Sequence, residues 1–123
     1  MGTFTAKLRI WNPARSTEAE ELEVMVDTGA AYSWVSRARL ERLGVQPVRR
    51  MQFRTIEGHL IERELAPVFV ATDGFTGGDN VVVAELGDME VLGWHTLNSL
   101  GLTVDYAINN LVPMTDALAL SAA

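Results

Sequence analysis

Leu22-Glu23-Val24-Met25-Val26-Asp27-Thr28-Gly29-Ala30-Ala31-Tyr32-Ser33-Trp34-Val35-Ser36 is the stretch on which the reading of this chain turns. An apolar run ends in Asp-Thr-Gly-Ala, and a second apolar stretch follows almost at once. Val24, Met25 and Val26 read as a strand buried on both faces, because the run is continuous rather than alternating. A carboxylate at the end of such a strand is costly unless a nearby group needs it or satisfies it. Thr28 can lock the turn through its hydroxyl, and Gly29 lets the backbone bend sharply beside the carboxylate. The segment is a strand that delivers one Asp to a tight loop, an arrangement suited to catalysis.

Outward from Asp27, the chain reads as a string of strands. Upstream, Phe4 to Trp11 alternates roughly, with Phe4, Ala6, Leu8 and Ile10 on one side. Asn12-Pro13 breaks it, and a polar connection through Ser16 and a solvated turn, Glu18-Ala19-Glu20-Glu21, leads into the Asp27 strand as a long hairpin. Downstream, Ser33 to Val35 is a short strand, Ser36 is an N-cap for a helix from Arg37 to Leu43, and Gly44 stops it. Met51 to Glu64 is a second hairpin around a two-residue turn at Glu57-Gly58. Pro67 to Ala71 and Val81 to Ala84 are further strands, separated by a glycine-rich loop from Thr72 to Asn80. That loop lacks the ordered ligand spacing and terminal Glu of a calcium site. Val91-Leu92-Gly93 ends another apolar strand and opens a helix from Trp94 to Leu100, with Gly101 as its stop. Thr103 to Val112 reads as a last strand, ended by Pro113.

One internal echo stands out. Leu40-Glu41-Arg42-Leu43-Gly44-Val45 has the pattern of Leu97-Asn98-Ser99-Leu100-Gly101-Leu102, and each closes a strand-then-short-helix unit. The first follows Asp27, the second Val91-Leu92-Gly93.

Composition narrows the function classes. With 123 residues, the chain is one domain, and 48% apolar content indicates a globular core. Sixteen acidic against ten basic residues give −6, with no basic run longer than Arg49-Arg50, which argues against nucleic acid binding. The absence of cysteine excludes disulfides, thiol nucleophiles and zinc–thiolate sites. No basic-then-apolar leader opens the sequence and no apolar stretch nears the ~20 residues of a membrane span, so a soluble, cytoplasmic protein without membrane partners is expected.

Asp27-Thr28-Gly29-Ala30 in its apolar frame, with Val91-Leu92-Gly93 leading into a short helix, resembles the retropepsin-like aspartic proteases, the single-domain, retroviral-type branch of that family. The ending from Leu100 through Val104-Asp105 to Leu111-Val112-Pro113 is similar to bacterial members. The resemblance implies a mostly β, closed β-barrel-like retropepsin (acid protease) fold with one or two short helices, active as a twofold dimer. It assigns residues 1–113 to the protease domain and leaves 114–123 as a C-terminal tail. It implies Asp27 as the catalytic residue, Thr28, Gly29 and Ala30 as the active-site loop, and Val91, Leu92 and Gly93 as the second-half motif. Phe53 to Arg63 falls where the family has its flap, which gives Ile56, Glu57, Gly58 and His59 a substrate-binding role. Trp34 lies where two-lobed relatives carry a Trp behind the flap, and plain core packing fits it equally well.

The chemistry demands a partner. Peptide hydrolysis by this route needs one carboxylate to activate water and another to protonate the carbonyl, and two carboxylates about 3 Å apart share a proton. The chain holds a single Asp-Thr-Gly and no Asp-Ser-Gly, so the second carboxylate must come from Asp27 of another copy across an isologous interface. The expected function is an aspartic endopeptidase acting on extended polypeptides, as a homodimer without cofactor or metal. The resemblance implies that Thr28 braces the loops across the axis. Ala30 removes a hydroxyl that could donate to the carboxylates, which places the expected pH optimum at about 5–6 rather than 2–3. The competing reading is a non-catalytic dimeric peptide-binding or scaffold module on the same fold. His59 and His95 have no accompanying nucleophile motif and read as ordinary surface or half-buried histidines; Trp11, Trp34 and Trp94 read as core.

Overall fold

Hairpins set the architecture, and the computed structural model describes residues 3–115 of it. The first pairs β1 (Thr5–Asn12) with β2 (Arg15–Val26) antiparallel across a tight turn at Pro13-Ala14, where the Asn12 side chain accepts from the Ala14 N–H. The Glu18-to-Glu21 segment is strand, not turn: Ala19 stands opposite Trp11 and Glu20 opposite Ile10. Glu20 pairs with Arg39 and Arg42 of the helix that follows the third strand, and Glu18 with Arg15 of its own strand. Along β2 the burial alternates, with Val24 and Val26 buried and Met25 only partly so. Among the described residues the strand is therefore buried chiefly on one face, contrary to the continuous run in its sequence.

The strand buried on both faces lies elsewhere. After β3 (Trp34–Ser36), α1 (Arg37–Arg42) and β4 (Arg49–Arg54), the long hairpin β5 (Leu60–Thr72) and β6 (Phe75–Ala84) carries the core. Val81, Val82, Val83 and Ala84 are all buried, since β6 lies between β3 and β5 with both helices packed on it. This hairpin absorbs the segment expected as a glycine-rich loop. Asp73 and Gly74 take consecutive positive φ values, +52° and +82°, between the paired Thr72 and Phe75. That is a mirror-image two-residue turn, whose twist matches the flanking strands. Gly77 and Gly78 are strand residues that make room: a Cβ on Gly78 would lie 3.1 Å from Phe69, and one on Gly77 3.1 Å from Leu100.

The sheet closes on itself. Its order is β1-β2-β7-β3-β6-β5-β4, with β7 at Val91–Leu92, and β1 also pairs with β5 through Arg9–Ala71, Ile10–Val70 and Trp11–Phe69. Leu8, Ile10, Leu22, Val24, Val68 and Val70 fill the interior. The final segment is not one strand but a hairpin, β8 (Leu102–Asp105) and β9 (Asn110–Pro113), forming its own two-stranded sheet. Asp105 turns the chain by accepting from Ala107 N–H through its side chain, and Asn109 adopts φ +49°. Of the tail from 114 to 123, residues 116–123 lie outside the described residues, and Met114 N–H donates to Gly101 O.

The two echoed units have matching anatomy. The first is β3 and α1, closed by Gly44 at φ +70°; the second is β7 and α2 (Trp94–Leu100), closed by Gly101 at φ +72°. Leu40, Leu43 and Val45 are buried in the first unit, and Leu97, Leu100 and Leu102 in the second. Among the described residues, no helix is long and apolar enough to cross a membrane.

Candidate active site

Asp27 follows the last residue of β2, and its backbone is fixed before its side chain is considered. β2 runs parallel to β7, with Val26 opposite Leu92. The Asp27 N–H donates to Leu92 O at 2.9 Å, and Ala30 N–H donates back to Asp27 O at 3.1 Å. The first bond ties the strand end to β7, and the second closes a four-residue turn. Asp27 Oδ1 accepts from Gly29 N–H at 3.0 Å. A Cβ on Gly29 would stand 3.2 Å from that same oxygen, so glycine keeps the approach free. The carboxylate is partly exposed, held on one oxygen and open on the other side to whatever faces the loop.

The expected second-half motif meets this loop directly. A Cβ on Gly93 would fall 2.3 Å from Tyr32 O and 2.9 Å from Ala30 O, closer than any side chain tolerates. Two backbones cross there, and only glycine permits it. The first N–H groups of α2, which have no partner inside a helix, donate to the loop: Trp94 to Ala30 O and His95 to Ala31 O, each at 2.9 Å. Asp27, Thr28, Gly29 and Ala30 are thus brought against Val91, Leu92 and Gly93.

A buried polar chain lies beneath the crossing. Gly93 N–H donates to Ser33 Oγ, Ser33 bonds Thr96 Oγ1, and Thr96 donates to Asp79 Oδ2. Asp79 Oδ1 accepts from Asn80 N–H at 2.8 Å and faces His95 Nδ1 at 2.7 Å. Ser33 and Thr96 are fully buried, as is the Asp79 side chain. Sequence reading missed this group. Asp79 sat in a segment whose glycines looked like loop, and nothing local tied it to a serine and a helix start far away in the chain.

The Phe53-to-Arg63 segment is a hairpin, as expected, but its loop has three residues rather than two. Thr55 N–H donates to His59 O, Gly58 N–H donates to Thr55 O, and Gly58 takes φ +89°. Ile56 and Glu57 span the bend, with Gly58 as the left-handed residue that rejoins the strands. Ile56, Glu57, Gly58 and His59 are all exposed, and their hydrogen bonds among the described residues stay within the hairpin. At its root the hairpin touches the Asp27 segment: Phe53 packs on Trp34 at 5.3 Å and on Tyr32 at 6.0 Å, while Tyr32 stacks on His95 at 5.0 Å. Trp34 is thus half-buried against the hairpin, Trp11 is half-buried against Phe69, and Trp94 is exposed rather than core.

Ion pairs anchor the same root. Arg63 binds Asp88 through one guanidinium edge, Nε to Oδ2 at 2.7 Å and Nη2 to Oδ1 at 3.0 Å, and Arg37 bridges Glu64 and Glu85. The hydrogen bond from Arg63 holds the Asp88 carboxyl below its ordinary value, and that from Arg37 does the same for Glu85. No cluster of three metal-ligating side chains occurs among the described residues.

Comparison with known proteins agrees with this geometry. Residues 13–104 match the family described as aspartyl protease. The solution structure of the Simian Foamy Virus (mac) protease is similar at 20% identity, covering 77% of this chain and 92% of that one, with a TM-score of 0.54. A retropepsin-like aspartic protease from Rickettsia conorii is 18% identical over 86% of this chain and 95% of its own, with a TM-score of 0.44. Comparison with curated proteins returns no match. With three quarters of its length inside one family match and a retropepsin-like barrel around Asp27, the chain belongs to the aspartyl protease family.

Proposed function

We propose that this protein is an aspartic endopeptidase that acts as a homodimer, with one site formed by Asp27 from each copy. One observation carries the reading: Asp27 is presented at a strand end, pinned by Leu92 and Gly29, in a chain with a single Asp-Thr-Gly. One carboxylate takes a proton from water as the oxygen attacks the peptide carbonyl, and the other protonates the carbonyl oxygen. The tetrahedral intermediate then collapses, the C–N bond breaks, and the departing nitrogen is protonated. Thr28, Gly29 and Ala30 shape the loop, and Val91, Leu92 and Gly93 support it from behind. Ile56, Glu57, Gly58 and His59 form the tip of a flap over an extended polypeptide held as an added strand. The protease domain takes residues 1–113, and 114–123 form a tail.

The test is cleavage of a denatured-peptide mixture from pH 3 to 7, read by mass spectrometry, beside Asp27→Asn. Cuts that vanish in a folded, dimeric variant support the reading, with a loss of about 10³-fold or more. Cuts that survive Asp27→Asn, or a monomer by sedimentation at cleaving concentrations, overturn it. Activity is expected to peak near about pH 5–6, because Ala30 offers no hydroxyl to the carboxylates; a peak below about pH 3 contradicts that assignment.

A further inference from the structure

We propose that Tyr106 is a positioning residue for the Asp27 loop, acting through the hydroxyl of Thr28; the catalytic part of this inference rests on the protease reading of Asp27. Both ends of the loop are fixed by backbone bonds, Asp27 N–H to Leu92 O and Trp94 N–H to Ala30 O. Between them, the Thr28 side chain has one hydrogen-bond partner among the described residues, the Tyr106 hydroxyl, at 2.5 Å. Tyr106 opens the turn of the β8–β9 hairpin, which pairs with no strand of the main sheet. That turn is itself firm: Asp105 accepts from Ala107 N–H through its side chain and from Ile108 N–H through its carbonyl.

The chemistry of the contact explains its use. A hydroxyl has one proton and two acceptor sites, so when Tyr106 donates, Thr28 keeps its own proton for a group facing the loop. A β-branched side chain has few rotamers, and a single bond selects among them. The next residue is Gly29, whose N–H holds the Asp27 carboxylate. The hairpin thereby fixes the middle of the loop as the second-half motif fixes its ends.

The experiment uses the full chain with Tyr106→Phe, Thr28→Val, the double variant, and Ile108→Ala as a control in the same turn. Two readouts are taken: hydrogen exchange of the Gly29 amide by NMR, and kcat and KM on a cleaved peptide. Tyr106→Phe is expected to speed Gly29 exchange and lower kcat, each about tenfold, with KM nearly unchanged, the scale of one hydrogen bond. Thr28→Val should lose at least as much, because it also removes the proton that faces the loop, the double variant should be no worse than Thr28→Val alone, and Ile108→Ala should resemble wild type. Unchanged Gly29 exchange in Tyr106→Phe, additive losses in the double variant, or equal losses in Ile108→Ala overturn the inference. A wild-type chain that cleaves nothing while Gly29 still responds to Tyr106 sinks the protease reading and keeps the positioning role. Cleavage with no such response does the reverse.

Discussion

The two strand-to-helix units share a plan in their apolar residues and differ in their polar ones. Each buries three aliphatic side chains at the same spacing and ends on a left-handed glycine. The first opens on Ser36, whose hydroxyl accepts from Arg39 N–H, and surrounds its helix with arginine–carboxylate pairs from Arg37, Arg39 and Arg42. The second opens on Gly93, with no side-chain cap, and gives its first N–H groups to Ala30 and Ala31. One unit satisfies its own helix start; the other spends that start on its neighbour. Duplicated packing is compatible with divided labour, and the division falls where the Asp27 loop crosses.

Glycine substitutions break this comparison most sharply. Gly93→Ala should cost upwards of about 3 kcal/mol, because its Cβ would enter Tyr32 O, while Gly44→Ala should cost only about 1–2 kcal/mol of left-handed strain. At Gly44 the new Cβ meets the tip of Arg15, an exposed side chain that can swing away. Urea unfolding of the two variants measures the difference, and equal losses would mean the crossing at Gly93 is not tight. Serines give a smaller contrast. Ser33→Ala strands the buried Gly93 N–H and takes away the proton that the Thr96 hydroxyl accepts; it should cost about 2–3 kcal/mol, against about 1 kcal/mol for the cap lost in Ser36→Ala. Acid provides the mildest probe. Glu20, Glu85 and Asp88 are held below their ordinary values of 4.5, 4.5 and 3.8, Glu20 chiefly by the Arg42 hydrogen bond. Depressed carboxylates add stability above those ordinary values and lose it as pH falls through the lowered ones. Stability should therefore decline below about pH 4, and Arg63→Met should flatten part of that slope. A slope unchanged in Arg63→Met would remove Asp88 from the account.

Much of this organisation was readable in the chain. The apolar spacing of Leu40, Leu43 and Val45 and of Leu97, Leu100 and Leu102 is local, and so are the stop glycines; both units fell where the sequence put them. Asp27-Thr28-Gly29-Ala30 announced its own loop, because turn chemistry is written in adjacent residues. What escaped depends on distant partners. Gly77 and Gly78 look like loop until Leu100 and Phe69 are seen to need their space. Met25 looks like core, yet it is only partly buried between Val24 and Val26. Asp73-Gly74 was legible as a hairpin turn and was hidden by the glycines after it. Tyr106 meeting Thr28, and Asp79 meeting Thr96, carry no local signature at all.

The Asp73-Gly74 turn has a consequence for the order in which the barrel assembles. Its two flanking strands meet across two residues, so their first contacts form at little cost in chain entropy. The seam between Trp11 and Phe69 joins residues far apart in sequence and must await a compact chain. Folding is therefore expected to begin at such tight turns, this one and Pro13-Ala14, and to finish at the seam. The cylinder is zipped from one side before it is buttoned on the other, and a nascent chain carries an open, unpaired margin until Phe69 and its neighbours have been made.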